Sequence, residues 1–81
     1  MKARITVTLK NGVLDPQGRA IAHALHSLGF GNVEDVRQGK LIEVQLKAAD
    51  EAEARAQLDA MCRELLANTV IENYSVELAG G

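Results

Sequence analysis

The chain has 81 residues, a formal net charge of −2 and 47% apolar residues, with Phe30 and Tyr74 as its only aromatics. That is one folded domain with an aliphatic core, marginal at this size, so association would add stability. The interspersed charges argue against a nucleic-acid-binding surface, and no apolar run has the length of a membrane span.

Residues 2–10 alternate, with Ala3, Ile5, Val7 and Leu9 on one face and Lys2, Arg4, Thr6, Thr8 and Lys10 on the other, which predicts a half-buried first strand. This start lacks the apolar stretch and cleavage site of a signal peptide, and the lone Cys62 cannot form an internal disulfide; a cytoplasmic protein is expected. Asp15 is a good N-cap and Pro16 suits the first position of a helix. Ile21, Leu25 and Leu28 mark that helix's inward face, and Gly29 its C-terminal stop. Gly18, in the first turn, indicates close packing there.

Residues 33–38 and 40–47 read as two strands joined by a hairpin at Gln38-Gly39, with Ile42, Val44 and Leu46 facing inward. Asp50 and Glu53 have capping-box spacing and start a second helix, whose apolar stripe is Ala54, Leu58, Met61 and Leu65. A last strand covers 70–78, and residues 79–81 are expected to be a tail after a single 1–78 domain.

The order is βαββαβ. It predicts an α+β, ferredoxin-like fold, with a four-stranded antiparallel sheet of order 4-1-3-2 and both helices on one face. The Asn11–Asp15 connection, the Gln38-Gly39 turn and the 67–69 connection then lie at one end of the sheet, a common place for a binding surface. The fourth strand is a weakly protected edge, which a second copy would cover.

Nothing in the chain resembles an independent catalytic site. His23 and His26 face away from the predicted core, with no further ligand at metal spacing. Cys62 reads as a buried, inert thiol. Ser27 and Ser75 have no neighbouring base, and the glycines near Gly12 lack the lysine and hydroxyl of a phosphate loop. Glu34, Asp35, Glu43, Glu72 and Glu77 are spread over both strand faces, not paired. RNA-recognition and metallochaperone versions of the fold need exposed aromatics or a cysteine pair, which this chain lacks. A dimeric, ACT-like amino-acid-sensing regulatory domain remains an alternative.

Three segments together resemble one family: Leu9 to Gly18 with Ala20-Ile21, then Val36 to Lys40, then Cys62 with Leu65 to Tyr74. In order and over nearly the whole chain, they are similar to PurS, the small subunit of phosphoribosylformylglycinamidine (FGAM) synthase in purine biosynthesis. Thr69 and Asn73 stand where that family often has proline and aspartate. The resemblance implies a non-catalytic homodimer, or a tetramer when alone. It would bridge a large PurL-like synthetase subunit and a PurQ-like glutaminase subunit and assist ammonia transfer. It implies no cofactor on this chain, ATP and Mg²⁺ being used by the large subunit. Carried over by position, it puts Gly12, Asp15, Gly18, Arg37, Lys40, Asn68, Glu72 and Tyr74 at interfaces. Turn and cap geometry explains Gly12, Asp15 and Asn68 equally well, and the parity of Tyr74 also fits the core.

Overall fold

A computed structural model describes residues 1–79. The elements are β1 (Lys2–Leu9), α1 (Pro16–Ser27), β2 (Gly39–Gln45), α2 (Glu51–Met61), a π-helical turn (Cys62–Leu66) and β3 (Glu72–Ala79). The sheet is antiparallel, with β1 in the centre and the order β2-β1-β3. Ile5 lies opposite Ile42 on one side and Val76 on the other. Ala79 pairs with Lys2, while residues 80 and 81 of the expected tail lie outside the described residues.

The alternation of β1 fixes the core. Ala3, Ile5 and Val7 are fully buried, and on this face they meet Leu58, Cys62 and Ala67. Ile42, Val44, Leu46, Tyr74, Val76 and Leu78 flank them, half-buried. The opposite face is polar: Arg4 sits between Glu43 and Glu77, and Lys2 reaches Glu43 at 3.1 Å. Such exposed pairs contribute little individually.

The helix ends follow their sequence signals. The Asp15 carboxylate accepts the Gly18 amide at the start of α1, and Asp50 accepts the Glu53 amide at the start of α2. Glu53 reaches back to the Ala49 amide at 2.7 Å, one residue short of an ideal capping box. At the end of α1 the Gly29 amide donates to His26 and the Phe30 amide to Leu25, with Gly29 at φ +101°. This is a Schellman stop, which demands a left-handed residue that glycine adopts at least cost.

Three expectations are corrected. The sheet has three strands, not four, because residues 33–38 form no strand and no hairpin turn separates them from β2. Long-range bonds explain this: the Gln38 amide donates to Asp15, and the Arg37 guanidinium donates to the carbonyls of Leu9 and Lys10. Those bonds tie the segment to the base of α1, not to the edge of β2.

Secondly, the helices do not share one face of the sheet. The core cluster contains residues from α2 and the π turn but none from α1. The predicted inward residues Ile21 and Leu28 are 40% and 73% exposed. A compact chain of this length would have a radius of gyration of about 12 Å; this one has 16.1 Å and extends 51 × 27 × 14 Å. Helix α1 and residues 33–38 therefore form an arm that stands off the sheet.

Thirdly, the apolar stripe of α2 does not reach Leu65, which is 83% exposed. The Ala67 amide bonds the Cys62 carbonyl, an i→i+5 link that widens the last turn. That rotation turns Cys62 inward and Leu65 outward.

Candidate functional site: the loop end of the sheet

The connections 10–15, 38–39 and 67–71 meet where β1 ends and where β2 and β3 begin. Gly12, at φ +85°, makes the turn after β1. Asp15 follows, and although charged it is buried. One of its carboxylate oxygens accepts the Gly18 amide at 2.9 Å and the other the Gln38 amide at 2.8 Å. The Gln38 amide, then the Gly18 amide and the nearby Arg37 charge, hold its carboxyl below the usual range, against the opposing effect of burial.

Arg37 is used internally as well. Its Nη2 donates to the carbonyls of Leu9 and Lys10, each at 3.1 Å, with Nη1 near Val13 O at 3.5 Å. At the other end of the arm the His26 imidazole bonds the Val33 carbonyl at 2.7 Å. Residues 33–38 are thus fastened along α1 at both ends.

On the β3 side, Glu72 organises the turn. Its carboxylate accepts the Asn68 amide at 2.7 Å and faces Lys40 Nζ at 3.8 Å. The Asn68 side chain accepts the Val70 amide, and its carbonyl accepts those of Ile71 and Glu72. The Lys10 amide closes the cluster onto Ile71 O at 2.8 Å.

Gly12, Asp15, Gly18, Arg37, Lys40, Asn68 and Glu72 are therefore brought to one end. Tyr74 differs. It packs against the core, and its hydroxyl donates to Asp59 on α2; that bond, then burial, pushes its phenol upward. Asp59 also pairs with Arg63 at 2.9 Å. Sequence reasoning missed Asp59, whose only local signal is the i,i+4 spacing to Arg63. It also missed the exposure of Leu14, Leu65 and Val70, at 64%, 83% and 82%.

This end offers little for chemistry. The two oxygens of Asp15 are taken by backbone amides, Arg37 by carbonyls, and Glu72 by an amide and a lysine. An open depression of about 300 Å³ is lined by Gly12, Leu14, Asp15, Arg19, Asp35 and Arg37, among others. No cluster of three or more His, Cys, Asp or Glu suited to a metal occurs among the described residues. Burial, then Asp59, pushes the Cys62 thiol upward, which disfavours the reactive thiolate.

Acid should expose the role of Asp15. Because its folded-state pKa is depressed, its stabilisation is complete above the unfolded value of about 3.9 and is lost as pH falls through the folded value. Urea midpoints measured from pH 7 down to 2 should fall at the acid end. In Asp15→Asn they should start lower at pH 7 and fall less steeply. An unchanged acid slope would remove Asp15 from this role.

A small α+β protein with a one-sided core, a protruding apolar arm and a fully engaged polar end is an assembly module by construction. The comparisons identify the kind. The family pattern of PurS, described as phosphoribosylformylglycinamidine (FGAM) synthase, matches residues 2–80. A phosphoribosylformylglycinamidine synthase subunit PurS from Synechocystis is 57% identical over 75 residues, covering 93% of this chain and 75% of that protein. The structure of Bacillus subtilis PurS superposes with a TM-score of 0.84 at 47% identity, covering 94% of each chain. A chain of the Thermotoga maritima PurLQS structure superposes with a TM-score of 0.86 at 33% identity, covering 94% of this chain and 93% of that one. The chain belongs to the PurS family, the PurS subunits of FGAM synthase, a glutamine-dependent ligase of purine biosynthesis. No helix among the described residues is long and apolar enough to cross a membrane.

Proposed function

We propose that this chain is the non-catalytic subunit that holds a three-part FGAM synthase together. It bridges a PurQ-like glutaminase and a PurL-like synthetase, and it helps ammonia pass from the first to the second. The large subunit uses ATP and Mg²⁺, this chain holds no cofactor, and the complex is cytoplasmic. The observation that carries this reading is the state of the loop end, where Asp15, Arg37 and Glu72 are all consumed by internal bonds. Such groups shape a surface; they are not free to act as acid or base. The likeness to a chain of the Thermotoga maritima PurLQS structure supports the choice of partners.

Within this reading the interface divides. Lys40, Gly12 and the exposed Leu14 and Val70 present the docking surface. Asp15, Gly18, Arg37, Asn68 and Glu72 fix the loops that carry it, and Tyr74 anchors β3 to α2. Reconstitution provides the test. Glutamine-dependent FGAM formation by the synthetase and glutaminase subunits should be near background without this chain and rise by at least tenfold when it is added. Equal turnover with and without the chain would overturn the proposal.

A further inference from the structure

Two unsatisfied halves face solvent in the same chain. One is the arm, where Leu14, Ile21, Leu28 and Phe30 are 64%, 40%, 73% and 53% exposed. The other is the β2 side of the sheet. Helix α2 lies over the core on the β3 side, and no element caps Ile42, Val44 and Leu46, which stay half-buried. The outer edge of β2 is also unpaired. The sequence pattern that predicts a helix with an inward stripe and a fourth strand fits this open half of the sheet. Its own arm does not occupy it.

We propose that two copies of this chain exchange their arms: α1 and residues 33–38 of each copy cover the open half of the other's sheet, with residues 33–38 adding to the β2 edge. This rests on the assembly role proposed above and specifies how the small subunit is built. The bonds around the hinge decide for a second copy over the chain's own arm. Folding back in cis needs a hairpin at Gln38-Gly39, and the Gln38 amide is committed to Asp15 while Arg37 is committed to the β1–α1 connection. With the hairpin held open, residues 33–45 run on from the arm into β2. A two-fold axis near Gln38-Gly39 then lets two such segments pair antiparallel, which is how an opened hairpin exchanges between identical chains. The surfaces that meet are the ones the periodicity encodes, so each copy satisfies the pattern of the other. The extent is also suitable: residues 14–38 match the roughly 20–30 residues that each side of a standard interface contributes.

The test uses the intact chain without partners. Light scattering at tens of micromolar should give twice the 8.7 kDa chain mass. Leu28→Glu and Ile21→Glu change residues that are exposed in the single chain, so circular dichroism should stay native-like. Each should weaken the dimer by on the order of 100-fold in dissociation constant. Hydrogen exchange distinguishes arm exchange from any other pairing: amides of residues 33–45 should be protected in the dimer and lose that protection in Leu28→Glu. A wild-type monomer, a dimer indifferent to both substitutions, or a dimer with residues 33–45 unprotected would each overturn the exchange. None of these outcomes depends on glutamine-dependent turnover, so the assembly role would be judged separately by reconstitution.

Discussion

Leu58→Ala is expected to lower stability by about 3 kcal/mol, within the range of about 2–5 kcal/mol for buried Leu-to-Ala changes. Leu58 is fully buried, and with Ile5, Val7 and Cys62 it forms the small set of side chains that water does not reach. A domain of this size has a total stability of roughly 4–12 kcal/mol. One cavity therefore removes a quarter or more of it, because no second core layer exists to close around the gap. Leu65→Ala serves as the control. Both leucines belong to the same predicted stripe, yet Leu65 is 83% exposed beyond the π-helical turn. Its truncation should stay within about 0.5 kcal/mol of wild type. Urea unfolding of the two variants, compared at equal m-value, checks the pair. Equal losses would mean that α2 continues as a regular helix and that Leu65 is core.

That pair also marks what the sequence can and cannot convey. The alternation of β1, the caps at Asp15 and Asp50 and the stop at Gly29 are local, and each is fixed by neighbours within four residues. The π turn is not, since its i→i+5 bond is selected by which of Cys62 and Leu65 fits under the sheet. Residues 33–38 went astray for a related reason. Their pattern fits a strand, but the bonds that place them join Arg37 to Lys10 and Asp15 to Gln38, separated by 27 and 23 residues. The inward stripe of α1 was a correct reading of amphipathicity, but periodicity does not say whose sheet the stripe will cover.

The candidate site was legible to a different degree. Turn-forming residues and the family resemblance together led to the end where seven of the eight named residues gather. Their individual roles were not visible. Asp15 reads as a helix cap, and it is also the brace that holds Gln38 across the chain. Arg37 reads as an exposed contact, but three nearby carbonyls hold its guanidinium. Tyr74 has core parity, and its partner Asp59 comes from a helix that only tertiary packing brings near.

Gly18→Ala tests that brace most directly, because two effects of opposite sign compete there. Inside a helix, alanine is favoured over glycine by about 1 kcal/mol. Propensity alone therefore predicts a more stable protein. A Cβ at position 18, however, would lie 2.2 Å from the Val36 carbonyl oxygen and 2.7 Å from Asp15 Oδ2. The first neighbour is backbone, and its segment is pinned by the bonds at Arg37 and Gln38, so it cannot yield cheaply. Overpacking of this kind costs roughly 1–3 kcal/mol, which exceeds the gain. The net expectation is a loss of about 1–2 kcal/mol, along with detachment of residues 33–38 from α1. Faster hydrogen exchange at Gln38, whose amide donates to Asp15, would report that detachment. Gly31→Ala provides the contrast, since nothing lies within 4 Å of its added Cβ, and it should be neutral. A Gly18→Ala variant that is more stable than wild type, with exchange at Gln38 unchanged, would mean that the arm does not press against α1 and that its direction is set elsewhere.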